Sequence, residues 1–261
     1  MFFLYNYIEL YIISKFLTEL KTQLLASCYY INLSALYYNE VIVLPINKIM
    51  NSMVSQVKVE EFHGKKVVTK RYDSATSVKW YFITNAFRAY PFVAEGKERM
   101  KREMDFLTSR LSIAKPVVYD FDMKNLVLYR EYIYGGQIEN FYKLGKTLSK
   151  VHNDGYVLGD TKISNFLESK GEVYIIDAEQ AIRNENEGFF AWDLLIAILF
   201  ISYRNFSNLR AFRLELREFL EGYEPSPKVL PLIFSVKNLN VLSLFPVFHL
   251  LELRRFIQTF Q

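Results

Sequence analysis

The hydrophobic period switches along this chain, and the switch limits what it can fold into. Val54 to Glu60 (VSQVKVE) alternates apolar and polar residues, as a half-buried strand does. His63-Gly64 marks a turn, and Lys66 to Tyr72 (KVVTKRY) makes the second arm of a hairpin. Gly96 to Leu111 has helical spacing, with Met100, Met104, Leu107 and Leu111 in one stripe. Strands are expected at Val117–Tyr119 and Leu126–Ile133, a helix at Phe141–His152, and short strands at Phe166-Leu167 and Val173–Ile176. After Gly188 the pattern is mainly helical: Phe189 to Tyr203, Asn208 to Leu220, then Val241 to Thr259. Strands first and helices later predict an α+β fold, a small sheet-rich lobe followed by a helical one.

A chain of 261 residues that is 51% hydrophobic and 23% charged can bury a sizeable core, which excludes global disorder. The net charge is +4 with no long basic tract, so nucleic-acid binding is permitted but not announced. The single cysteine, Cys28, excludes a disulfide framework and a multi-thiolate metal site. His63, His152 and His249 lie far apart, which argues against a histidine metal cluster. The chain reads as cytoplasmic.

Residues 1–49 differ from the rest. They hold ten aromatics, three Lys, three Glu and neither Gly nor Asp. Thr22–Asn39 is uncharged but contains Thr, Gln, Ser and Asn, and makes a poor membrane span. No basic n-region precedes an apolar run, so a signal peptide is not indicated. Three readings stand: a surface-binding amphipathic segment, a helical extension packed on the domain, or translation from an upstream start with the protein beginning at Met50 or Met53.

The stretch from Leu158 to Gln180 reads LGDTKISNFLESKGEVYIIDAEQ. Asp160 and Asn165 sit five apart on a loop, and Asp177 follows a short strand. A carboxylate, a carboxamide and a second carboxylate on loops offer hard oxygen ligands, which suit magnesium shared with phosphates. A loop carboxylate near that metal can orient a hydroxyl nucleophile. Phosphoryl transfer needs this combination of positioning and charge neutralisation.

The segment resembles the catalytic and metal-binding loops of the protein-kinase-like superfamily, H-R-D-x-x-x-x-N followed by D-F-G. The nearest likeness is to the atypical branch, the RIO kinases and the small kinase of the KEOPS tRNA-modification complex, which use H-G-D. Gly159-Asp160 keeps the second half of that motif, and VYIIDAEQA is similar to the RIO-type I-I-D followed by Gln-Ala. KPVVYDFD with YREYIYGG looks like the strand pair and hinge, and AWDLLIAILF like the helix that anchors the catalytic loop. The resemblance spans residues 51–224. It implies a two-lobed fold, with residues 1–49 an extension, 50–133 the N-lobe and hinge, and 134–261 the C-lobe with a helical tail.

The resemblance also implies roles. Asp160 matches the catalytic aspartate and Lys162 a lysine that contacts the transferred phosphate. Asn165 and Asp177 match the ligands of Mg2+ (or Mn2+). Lys70 matches the lysine on the α- and β-phosphates of ATP, with Glu103, or else Glu98, as its partner. The backbone of Glu131 to Ile133 matches the adenine-binding hinge, and Asp193 the aspartate beneath the catalytic loop. His152 reads as a cation at a helix C-terminus, and Asp193 could also be a first-turn acid. Leu242, Leu244, Phe248, Leu251 and Phe256 form a stripe expected in the core.

Departures are visible. Leu158 replaces the histidine of H-G-D, and Ala178-Glu179 replaces Phe-Gly. No glycine-rich loop precedes Val57; Ser52 and Ser55 hydroxyls are the substitutes the sequence offers. There is no A-P-E segment, and Gly188 comes eleven residues after Asp177. The expected function is an ATP- and Mg2+-dependent phosphotransferase, an atypical serine/threonine protein kinase acting on an unknown hydroxyl acceptor. The alternatives are a small-molecule or sugar-lipid kinase of the same fold and a nucleotide-binding pseudokinase or scaffold. By analogy, an RNA-processing complex is a possible partner. The compositional bias suggests an archaeal or viral AT-rich source.

Overall fold

The structure, a computed structural model, describes residues 56–62 and 64–260. Residues 1–49, Ser52 and Ser55 lie outside them. Strands β1 (Val57–Phe62) and β2 (Lys65–Arg71) form the expected hairpin, with Gly64 in the left-handed region at φ 73°. β3 (Val118–Asp122) and β4 (Val127–Glu131) form a second hairpin. Its turn is closed by the Asp122 carboxylate, which accepts the N–H groups of Lys124 and Asn125 at 2.8 and 2.9 Å. The antiparallel sheet has the order β1-β2-β4-β3, so Lys70 sits on an inner strand opposite Leu128.

Two helices connect the hairpins. α1 (Ser74–Ala86) was not expected from the sequence: SATSVKWYFITNA is rich in β-branched and aromatic residues, carries no acidic first turn and shows little amphipathic periodicity. α2 (Gly96–Thr108) was expected, and buries Arg99, Met100, Glu103, Phe106 and Leu107 beneath the sheet. Gly96 begins it because a Cβ there would stand 1.7 Å from the Tyr72 carbonyl oxygen.

The helical lobe starts with α3 (Phe141–Asn153), capped by Asn140, whose side chain accepts the Lys143 N–H at 2.9 Å. The chain then lays out β5 (Tyr156–Val157), a 3₁₀ turn (Ile163–Asn165), β6 (Phe166–Ser169), β7 (Glu172–Ile175) and β8 (Ile182–Arg183). β6 pairs with β7, and β5 with β8. α4 (Glu187–Arg204) carries an almost wholly apolar sequence and is the buried centre of the lobe. α5 (Leu209–Tyr223) packs on α3 with backbones nearly touching. A Cβ on Gly145 would meet the Phe219 carbonyl oxygen at 2.0 Å, and one on Gly222 the Tyr142 carbonyl oxygen at 2.0 Å. The chain is thus α+β and two-lobed, with a sheet-rich N-lobe and a helical C-lobe.

After a short α6 (Val229–Leu232), the expected C-terminal helix from Val241 to Thr259 is broken into the end of α7 (Leu239–Leu242) and α8 (Val247–Phe260), with Pro246 ending the intervening turn. The expected stripe is corrected accordingly. Leu242 is buried, but Phe248 and Leu251 are exposed, and α8 buries His249, Leu253 and Ile257 instead.

Candidate active site

The loop from Leu158 to Asn165 is held from below by one carboxylate. Asp193, fully buried on α4, accepts the N–H groups of Leu158 and Gly159, each at 2.7 Å, one on each oxygen. It lies in the second turn of α4, not the first, so it serves the loop rather than the helix terminus. Thr161 Oγ1 donates to the Asp193 carbonyl at 2.6 Å, and Trp192 Nε1 donates to the Gly159 carbonyl at 2.8 Å. Gly159 is required here: its φ is 75°, and a Cβ would stand 2.3 Å from the Tyr90 ring.

His152, in the last turn of α3 as expected, also belongs to this support. It is buried, stacks on Phe190 at 4.3 Å, and lies 3.1 Å from Asp193 through Nε2 and 2.6 Å from the Tyr223 hydroxyl through Nδ1. A carboxylate only accepts, so Nε2 carries a proton, and in the neutral ring Nδ1 accepts from Tyr223. Leu158 packs its side chain into the core, and its N–H supplies the bond to Asp193. The loop is thereby held by main-chain bonds without a motif histidine.

Above that floor stand the candidate site residues. Asp160 is partly exposed, with Lys162 Nζ at 3.6 Å. Asn165 Nδ2 donates to the Asp160 carbonyl at 2.7 Å, which fixes the amide. The Asn165 carbonyl accepts the Ile176 N–H at 2.9 Å, bringing Asn165 beside the residue before Asp177. The Asn165 amide and the Asp177 carboxylate thus come from adjoining segments of backbone. One amide and one carboxylate are a donor set that fits a magnesium ion, which keeps waters and phosphate oxygens as its other ligands.

Lys70, fully buried, joins the lobes. Its ammonium lies 2.6 Å from Glu103, 2.8 Å from Asp177 Oδ1 and 3.4 Å from Glu179. Burial opposes its charge, but Asp177, Glu103 and Glu179 outweigh burial and raise its pKa above the ordinary 10.5. Asp177 is held below the usual carboxylate range: burial acts against this, and Lys70 and then Lys162 prevail. Glu103 goes the other way, raised by burial despite Lys70, and also accepts the Tyr72 hydroxyl at 2.6 Å. Glu103 is the partner of Lys70, whereas Glu98 is half-buried and faces Arg102 at 3.9 Å.

Glu179 is the residue the sequence reading missed. Almost fully buried, it accepts Trp80 Nε1 at 2.8 Å, Arg99 at 2.9 Å and Gln56 Nε2 at 3.2 Å, besides its contact with Lys70. Oxygens of Glu103, Asp177 and Glu179 lie within 4.8 Å of one another, and the Lys70 ammonium already takes the central cation position. Three carboxylates beside Lys70 and Arg99, with Arg130 Nε 3.8 Å from Glu103, leave the cluster close to neutral. The clue was a second carboxylate two residues after Asp177, where the motif has glycine. Gln180 locks the adjacent segment, its side-chain amide exchanging two 2.9 Å bonds with the Val93 backbone.

Lys79 was also missed, because α1 was. It is half-buried, and its ammonium lies 4.6 Å from the centre of the Trp80 ring. At the hinge, the Glu131 N–H donates to the Val117 carbonyl at 2.8 Å, and its carboxylate accepts the Val117 N–H at 3.2 Å. Ile133 is buried where the chain crosses to the C-lobe. Gly136 exchanges backbone bonds with Glu168 at 2.9 and 3.0 Å.

No family model matches the chain. It is 30% identical over 96 residues to KEOPS complex subunit Bud32 of Pyrococcus abyssi, covering 31% of this chain and 44% of that one. It is 26% identical over 192 residues to a probable bifunctional tRNA threonylcarbamoyladenosine biosynthesis protein of Methanobrevibacter smithii, covering 70% of this chain and 33% of that one. The namesake protein of Methanocaldococcus jannaschii is 27% identical over 141 residues, or 25% of its length. The chain thus spans less than half the length of these relatives. Among solved structures, WaaP in complex with acyl carrier protein overlaps 76% of this chain and 83% of its own, with a TM-score of 0.39 and 12% identity. Motif order, two-lobed architecture and sequence relatives agree: the chain is similar to the KEOPS-type atypical branch of the protein-kinase-like superfamily.

Proposed function

We propose that the chain transfers the γ-phosphoryl group of ATP to a hydroxyl acceptor, as an atypical serine/threonine protein kinase. The observation that carries this reading is the Lys70 ammonium between Glu103 and Asp177, facing a loop that presents Asp160 and Asn165. Lys70 binds the α- and β-phosphate oxygens. Asn165 and Asp177 hold Mg2+ (or Mn2+), which supplies charge neutralisation on the phosphates when bound. The backbone of Glu131 to Ile133 receives the adenine, less the Glu131 N–H already given to Val117.

Asp160 orients the acceptor hydroxyl and takes its proton. The hydroxyl oxygen then bonds to the γ-phosphorus as the bridging oxygen leaves with ADP. Lys162 contacts the transferred group. The test is incubation with γ-labelled ATP and Mg2+ or Mn2+, with Asp160→Ala as control. Label on the protein or on a protein acceptor, lost in the control, supports the proposal. A chain that binds ATP and turns nothing over with any acceptor is a pseudokinase, and the proposal fails.

One observation favours a small-molecule acceptor as the second reading. Only Ala178–Asn186 separates Asp177 from α4, and β8 within it is tied to β5. So short a connection leaves little backbone for docking a peptide. Small hydroxyl compounds tested beside protein acceptors separate the two.

The relatives' names, a KEOPS complex subunit and tRNA threonylcarbamoyladenosine biosynthesis proteins, support a place among tRNA-modification proteins. Co-purification with such proteins tests it. Among the described residues no helix is long and apolar enough to cross a membrane.

A further inference from the structure

The phosphate end of the cleft gains a cation from a helix outside the expected motifs. Glycines normally let backbone N–H groups approach phosphates, and the sequence Asn51-Ser52-Met53-Val54-Ser55 has none. α1 lies between the Lys70 strand and the Glu103 helix. It is anchored over the site by Trp80, whose indole N–H donates to buried Glu179 at 2.8 Å. Glu179 is itself 3.4 Å from Lys70. Lys79 leans across the Trp80 ring with its ammonium 4.6 Å from the ring centre. There it stands close enough to Lys162, Glu179, Asp160 and Asp177 for their charges to act on it.

Lys79 from the N-lobe and Lys162 from the catalytic loop thus bring two like charges toward the same carboxylates. Such convergence is unfavourable by itself in a half-buried cleft, and a bound polyanion offsets both charges at once. Lys70, set among carboxylates, serves the α- and β-phosphates, and Lys79 together with Lys162, itself 3.6 Å from Asp160, adds positive charge toward the γ end of the chain.

We infer that Lys79, positioned by the Trp80–Glu179 bond, is a phosphate-binding residue that does in this chain what a glycine-rich loop does elsewhere. The inference rests on the ATP-binding reading above and adds to it a residue and a division of labour. Lys79 reads the phosphate chain and contributes nothing to the nucleoside.

The test uses the full chain and calorimetric titration with ATP, ADP and adenosine in the presence of Mg2+. Lys79→Met keeps the side-chain length over Trp80 and removes the charge. It should weaken ATP by about tenfold or more, ADP less, and adenosine not at all, with Lys79→Arg recovering most of the loss. Equal ATP affinity in wild type and Lys79→Met overturns the inference while leaving the proposed function intact. Absence of ATP binding by the wild type sinks both. A wild-type measurement guards against a variant that fails to fold. Labelling by an amine-reactive reagent, read by mass spectrometry, should be suppressed at Lys79 by saturating ATP and not by adenosine. Labelling that saturating ATP leaves unchanged overturns the inference equally.

Discussion

Trp80 and Glu179, ninety-nine residues apart in sequence, meet in a 2.8 Å hydrogen bond that is buried on both sides. The bond couples the helix after the Lys70 strand to the segment after Asp177. Trp80→Phe keeps the ring and deletes the donor, leaving a buried carboxylate short of one partner. The expected cost is about 1–3 kcal/mol of stability, measured by urea denaturation. A variant within a few tenths of wild type contradicts the role given to this bond.

Asp177→Ala should abolish phosphate transfer from γ-labelled ATP while leaving a cooperative thermal transition. Lys70 keeps Glu103 and Glu179 as partners, so its charge stays compensated. Transfer that survives this change removes Asp177 from the metal site.

Asp193→Ala strips the acceptor from two buried N–H groups and from His152. A loss of about 3–5 kcal/mol is expected, as for breaking a buried charged network. The catalytic loop should lose its protection in amide exchange, with Leu158 and Gly159 exchanging first. Unchanged protection at those two residues would show that the loop is held by something else.

Acid should destabilise the fold through Glu179 and Asp177. Both have folded-state pKa values below their ordinary 4.5 and 3.8, against the pull of burial and chiefly because of Lys70. The unfolded chain therefore takes up protons first as pH falls. Their contribution is full above the ordinary values and is lost as pH drops through the folded ones. Glu103, raised by burial, has the opposite sign and offsets part of this. The fall in Tm from pH 5 to pH 3 should be smaller in Glu179→Gln than in wild type. An equal or steeper fall would exclude Glu179 as a source of the acid sensitivity.

Gly145→Ala should be among the most damaging methyl additions, since the new Cβ would meet the Phe219 carbonyl oxygen at 2.0 Å and the helix backbones must separate. A loss of about 1–3 kcal/mol or more is expected from overpacking, read as a lowered Tm. A Tm equal to wild type would mean that α3 and α5 are free to move apart.

The parts legible in the sequence are those with strong local signals. The two hairpins, α2, α3 and α4 follow from periodicity, and Asp160, Asn165 and Asp177 from their spacing. The pairing of Lys70 with Glu103 needed the resemblance, since nothing local links residues thirty-three apart. α1 was illegible because its burial depends on long-range partners such as Glu179, not on an apolar stripe of its own. Glu179 was read as a departure from Phe-Gly, because a carboxylate's worth as an acceptor appears only once Trp80, Arg99 and Gln56 surround it. His152 was legible as a last-turn residue of α3, but its bonds to Asp193 and Tyr223 depend on residues forty and more positions away.

Lys70–Glu103 and Arg99–Glu179 have a mechanical consequence. Glu103 and Arg99 are neighbours one turn apart on α2, and Lys70 and Glu179 also touch each other. Rotating α2 outward would strip two buried ion pairs together, at a cost of several kcal/mol for each unpaired charge. The helix is therefore bolted in one setting.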